Sequence, residues 1–211
     1  HLLFSETTMG KIMKEGDLSF ETTANSVFST IVMLAMHPEV QEKLYEEILD
    51  VFPEKDFQMD YEHTKKLPYL DRVINETLRL TPSVPVIGRQ VIKDTQLTKD
   101  LLLPRNLVVI ISIFHLHRRT DIWGPNAKRF DPDNFLPENL TDKHAYAFIP
   151  FSKGSRNCIG WRYALLTVKT MLCGLVRNFR FTTTFKFEDL QYVENIALKY
   201  LEEPGIEVHR R

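Results

Sequence analysis

Phe151-Ser152-Lys153-Gly154-Ser155-Arg156-Asn157-Cys158-Ile159-Gly160 decides how the rest of the chain is read. It runs into the clearest amphipathic segment, where Trp161, Ala164, Leu165, Val168, Met171, Leu172, Leu175 and Val176 recur at helical spacing. Cys158 is thereby placed at a helix N-terminus, where unpaired N–H groups and the positive end of the helix dipole favour a thiolate. Gly154 and Gly160 permit tight turning and close approach of the backbone to a flat ligand. Arg156 offers a fixed cation to an anionic group of that ligand, and Phe151 shields the sulfur from water. The other cysteine, Cys173, falls mid-helix beside Leu172 and reads as core packing.

Working outward, the chain has 211 residues with 27 Lys+Arg against 28 Asp+Glu, a formal net charge of -1. That balance argues against a nucleic-acid binder working through a general basic field. Hydrophobic residues make up 43% and charged residues 26%, the composition of a globular chain rather than a disordered one. Two cysteines exclude a disulfide-stapled secreted scaffold and point to a reducing compartment. No apolar run reaches the ~20 residues of a membrane-spanning helix. The chain opens at His1, which suits either a mature product or a piece of something longer, and the motifs favour the piece.

Helical patterning fills the first third. Val27, Ile31 and Leu34 set the stripe of one helix over 21–36, and His37-Pro38 punctuates it. Val40, Leu44 and Ile48 stripe a second helix, with Glu42, Lys43, Glu46 and Glu47 as its solvated face. After a polar link over 53–66, Leu70, Val73, Ile74 and Thr77 line a third, which Pro82 ends. Short β-prone runs follow over 84–113, then an irregular, proline-bearing stretch over 118–145 of the kind that tends to be functional. The tail from Phe179 returns to short strands. The fold class is mainly α with small β-sheets (α+β).

A lone cysteine with these neighbours does not suit zinc, which takes several nitrogen or sulfur ligands. It does suit a thiolate ligand to haem iron. With Phe151, Gly154, Arg156, Cys158 and Gly160 all present, the loop resembles the haem-binding fingerprint of the cytochrome P-450 haem-thiolate monooxygenases. Glu76-Thr77-Leu78-Arg79 resembles that family's Glu-x-x-Arg, and Arg129 in Ala127-Lys128-Arg129-Phe130 is similar to its second arginine motif. Glu21-Thr22-Thr23 and His37-Pro38-Glu39-Val40-Gln41 look most like the eukaryotic microsomal branch.

The resemblance implies that 1–211 is a partial domain, the C-terminal half of the cytochrome P-450 fold, running from the oxygen-activating helix through the cysteine loop to the last strands. It makes Cys158 the axial thiolate of haem b, with Arg156, Phe151, Gly154 and Gly160 around it. Arg89 becomes the partner of a propionate, and Val84, Val86 and Ile87 line the substrate pocket. Glu76, Arg79 and Arg129 hold the irregular stretch behind the haem. Glu21 and Thr22 take the catalytic places, because cleaving an O–O bond needs a hydroxyl that orders water and a carboxylate that relays protons. The family usually has Ala and then Gly four and three residues before this threonine; here Leu18 and Ser19 stand there, and Leu18 narrows the space over the iron. Tyr192 to Ala197 resembles the last substrate-facing turn.

Further implied are a lipophilic small-molecule substrate and electrons from NADPH through a flavoprotein reductase docking near Lys153 and Lys169. So is a place on the cytosolic face of the endoplasmic reticulum membrane, reached through a missing N-terminal part. A truncated or degenerate product that does not hold haem is the alternative. An isomerase-type relative using no external oxygen is a third, against which Glu21-Thr22 argues. His115 and His117 are read as structural rather than metal-binding, for want of a third ligand.

Overall fold

A computed structural model describes residues 18–194 and 197–211; the side chains of Leu18, Ser19 and Glu194 also lie outside the described part. Helix α1 (Leu18–Met36) carries the Val27, Ile31 and Leu34 stripe, and Leu34 is fully buried. The chain breaks at His37, and Pro38 opens α2 (Pro38–Val51), where its missing N–H costs nothing. Val40, Leu44 and Ile48 of α2 are buried. Glu47 departs from the solvated face that the pattern gave it. It is half-buried and its two carboxylate oxygens accept the Tyr69 and Leu70 amides at 2.7 and 2.9 Å. Those amides are orphan donors of α4 (Pro68–Leu80), so the carboxylate caps that helix from outside. Burial pushes the Glu47 carboxyl above its ordinary range against the pull of the same bonds. The polar link holds one short helix, α3 (Tyr61–Thr64), started by the Asp60 side chain.

After α4 come β1 (Val86–Gln90), β2 (Thr95–Thr98), β3 (Leu101–Leu103) and β4 (Val108–Ser112). β2 and β3 pair as a hairpin, while β1 and β4 pair antiparallel from Val86↔Ser112 to Gln90↔Val108. One short helix, α5 (Ile113–Leu116), follows β4, and the irregular stretch holds only short turns: α6 (Thr120–Trp123), a 3-10 turn (Pro132–Phe135) and α7 (Pro137–Leu140). Then α8 (Trp161–Asn178) crosses the core against α1 and α2. Val168, Leu172, Cys173 and Val176 are buried, and Met171, at the edge of the apolar stripe, is 48% exposed. The tail forms two antiparallel pairs, β5 (Phe179–Thr182) with β8 (Glu207–Arg210) and β6 (Tyr192–Glu194) with β7 (Leu198–Tyr200).

Polar clips lock the tail and helices together. The buried amide of Gln41 donates to the Leu34 and Phe181 carbonyls at 2.9 Å and accepts the Phe181 N–H at 2.8 Å. Arg177, at the end of α8, donates to the carbonyls of Phe52 and Pro53. Each clip satisfies backbone groups that the core would otherwise leave unpaired.

Candidate functional site

The cysteine loop folds back before its helix begins. The Cys158 amide donates to the Phe151 carbonyl at 2.9 Å, and Gly160 is the N-cap of α8, so the sulfur sits two residues ahead of the cap. Gly154 has φ +83°, a left-handed conformation that L side chains avoid. Ser152 shares that region at φ 60°. Its hydroxyl accepts from Arg89 Nη2 at 2.6 Å, and the same nitrogen reaches the Arg156 carbonyl at 3.5 Å. Arg89, at the fourth position of β1, is therefore tethered to the loop that carries the cysteine. Arg156 itself is exposed, as are Gly154 and Cys158; Phe151 is half-buried against the main core.

Behind the loop lies a cavity of about 370 Å³. Cys158 and Phe151 form one wall and Thr22 and Thr23 of α1 contribute to another. Ile74, Leu78, Ile113, Leu165 and Val168 supply apolar walls, with Val84 just before β1 and Ile87 within it. Val86, next to Ile87 in a strand and so directed to the opposite face, does not line it. Glu21 does not line it either: its carboxylate pairs with Lys199 Nζ at 2.7 Å. The side chains of Leu18 and Ser19, and Asn195 and Ile196 of the 192–197 segment, lie outside the described residues. Ser26, Ser83 and Ser152 also line the cavity, and sequence reasoning missed them, since an isolated serine carries no spacing signal.

The polar centre at the end of α4 is saturated. Glu76 and Arg79 are fully buried, and Arg79 grips the carboxylate through Nε and Nη2, both at 2.7 Å. Its remaining N–H groups go to the carbonyls of His117, Ala127 and Arg129 at 2.8, 2.5 and 3.0 Å. All five guanidinium donors are thus used, and the ring of Trp123 lies 5.0 Å from its Cζ. The Arg129 guanidinium is not a partner of Glu76. Its carbonyl turns inward to Arg79, which leaves the side chain exposed. Glu76 Oε1 accepts instead from the Asp131 amide at 2.9 Å and from Asn134 Nδ2 at 3.1 Å. Burial pushes the Glu76 carboxyl up, while Arg79 and these donors pull it back. His117, also buried, accepts the Ile149 amide at Nε2 at 2.9 Å, and burial holds its pKa down at about 3.

An apolar slot with a single thiol at its wall and an arginine bound to the same loop is a donor set suited to a flat, largely apolar macrocycle with an anionic edge. It fits a thiolate-ligated haem. A sequence profile described as cytochrome P450 matches residues 7–199. Relatives from Drosophila melanogaster include probable cytochrome P450 313a4, 49% identical over 92% of this chain and 39% of its own length. Probable cytochrome P450 4ac1 is 37% identical over 91% of this chain and 37% of its own. Cytochrome P450 4p1 is 33% identical over 95% and 38%. The chain belongs to the cytochrome P450 family, and it spans about two fifths of the length of these relatives.

Proposed function

We propose that this chain carries the thiolate loop and the oxygen-side helix of a haem-thiolate monooxygenase acting on a lipophilic small molecule. One observation carries the reading: a single apolar cavity has Cys158 on one wall and Thr22 on another. Cys158 would hold haem b through its sulfur, Phe151 would cover that sulfur, and Arg89 would meet a propionate. When bound, the haem supplies activation of dioxygen and insertion of one oxygen atom into the substrate. The chain's own residues do the rest. Val84 and Ile87 exclude water and offer apolar surface to a substrate, together with Ile74, Leu78, Ile113, Leu165 and Val168 of the same cavity. Thr22 would hold protons at the cavity edge, and Glu21, part-exposed and paired with Lys199, would relay them from solvent.

Electrons would come from an NADPH-dependent flavoprotein reductase meeting the exposed face of the cysteine loop. On that face Lys153 bonds the Ala145 carbonyl at 2.6 Å but remains exposed. Lys169 is committed to Asp71 at 2.6 Å with its side chain 12% exposed, so it leaves the docking role to Lys153. A place on the cytosolic face of the endoplasmic reticulum membrane belongs to the same proposal; no described helix is long and apolar enough to cross a membrane.

The test is the absorption spectrum of the complete protein, reduced and exposed to carbon monoxide. A thiolate-type spectrum is expected, and an imidazole-type one overturns the reading. The second reading, that residues 1–211 alone do not retain haem, is favoured by the exposure of Cys158 and of its neighbour Ile159. Haem content and gel filtration of the isolated chain decide it: a monomer loaded one to one sinks that second reading.

A further inference from the structure

Three oxygen atoms meet where α1 passes the end of α4. Ser26 Oγ lies 2.8 Å from Ser83 Oγ. Each hydroxyl also reaches the Thr22 backbone carbonyl, Ser26 at 2.8 Å and Ser83 at 3.1 Å. The contact between the hydroxyls uses at most one of their two protons, so at least one always goes to the Thr22 carbonyl. The Ser26 bond runs four residues back within the helix, a pattern that bends helices. Thr30 repeats it one turn later, donating to the Ser26 carbonyl at 2.7 Å. The Ser83 bond comes from a different element, the turn between α4 and β1.

The tail reinforces the same point. Leu198 donates its amide to the Ser83 carbonyl at 2.9 Å and accepts Asn25 Nδ2 at 3.3 Å. Lys199, the next residue, holds Glu21 at 2.7 Å. β7 therefore clasps α1 on both sides of Thr22 while Ser83 and Ser26 hold its carbonyl.

Resting on the reading above, we propose that Ser26 and Ser83 are positioning residues for Thr22. They fix the peptide from which its side chain projects at the cavity wall, one hydroxyl coming from the next turn of α1 and the other from the α4–β1 turn. Loss of Ser83 removes a bond that reaches the Thr22 carbonyl from outside α1, from the α4–β1 turn. Proton delivery at the cavity edge then becomes imprecise although both cavity walls remain.

The test compares Ser83→Ala, Ser83→Thr and Thr22→Ala, alone and combined, in the complete haem-loaded protein. Ser83→Ala is expected to keep haem content and the thiolate spectrum. It raises amide exchange over residues 22–30 about tenfold, the worth of one net hydrogen bond, and increases several-fold the share of electrons released as hydrogen peroxide. Ser83→Thr restores both values, and Ser83→Ala adds nothing to Thr22→Ala. Additive effects, unchanged exchange, or haem loss in Ser83→Ala overturn the proposal. A wild-type protein without a thiolate spectrum overturns the monooxygenase reading instead, and exchange measured on the haem-free chain still decides the positioning one.

Discussion

Asn134 donates its side-chain amide to Glu76 Oε1 at 3.1 Å, so the irregular stretch is tied to α4 by a neutral donor as well as by carbonyls gripped by Arg79. The Arg129 guanidinium is not needed on the carboxylate, and every donor of Arg79 has an acceptor.

Removing that amide leaves Glu76 Oε1 with fewer donors in a buried site. Asn134→Ala is expected to lower stability by about 1–2 kcal/mol. Arg129→Ala, whose side chain is exposed, should stay within about 0.5 kcal/mol of the parent. Urea unfolding of both variants measures the difference. The reverse order would put the Arg129 guanidinium, not Asn134, on the carboxylate.

Arg79→Met strands a buried carboxylate and three carbonyls at once. Breaking a buried pair in this way costs about 3–5 kcal/mol. Loss of the fold, or a urea midpoint far below that of Asn134→Ala, is the expected result. A midpoint equal to that of Asn134→Ala would show that Glu76 finds solvent when its partner leaves.

Helix positions and the apolar stripes were legible because each follows a period of 3.6, as Val40, Leu44 and Ile48 show. Cys158, Phe151 and Thr22, singled out by residue type and motif, all line one cavity. What stayed hidden depends on partners far apart in the chain. Glu47 looks like any solvated glutamate until the first turn of α4 arrives beside it. Asn134 and Ser83 have no periodicity to betray them, and Glu76 and Thr22 select them only in space. Arg129 misled because a backbone carbonyl pointing inward sends its side chain out, which no motif encodes.

His117 makes stability depend on pH. Its folded pKa of about 3 lies below the ordinary histidine value because burial, and then the charges of Arg79 and Arg118, disfavour the imidazolium. The unfolded chain takes up the proton first as pH falls. Stability is therefore full above about 6.5 and declines between about 6.5 and about 3. His117→Gln keeps an acceptor for the Ile149 amide and removes the titration. Unfolding midpoints collected from neutral pH down to about 4.5 should fall less steeply in the variant than in the parent. Parallel curves would mean that other groups set the acid limb.

The two cysteines occupy different settings. Cys158 lines the cavity and is exposed, whereas Cys173 is fully buried and its thiol is pushed up to about 12 by burial, with Glu47 adding to the rise. A thiol held protonated within α8 has neither the charge nor the route to serve as a ligand. In the complete protein, Cys158→His should still admit haem, since imidazole is a competent axial ligand. It should lose the thiolate-type carbon monoxide spectrum and substrate oxidation together, because a neutral imidazole donates less electron density than a thiolate. Cys173→Ser should keep both and lose about 1–2 kcal/mol of stability from placing a hydroxyl in the core. With the two spectra recorded side by side, a thiolate signal that survives Cys158→His and vanishes in Cys173→Ser would assign the ligand to α8 and leave the 151–160 loop without a function.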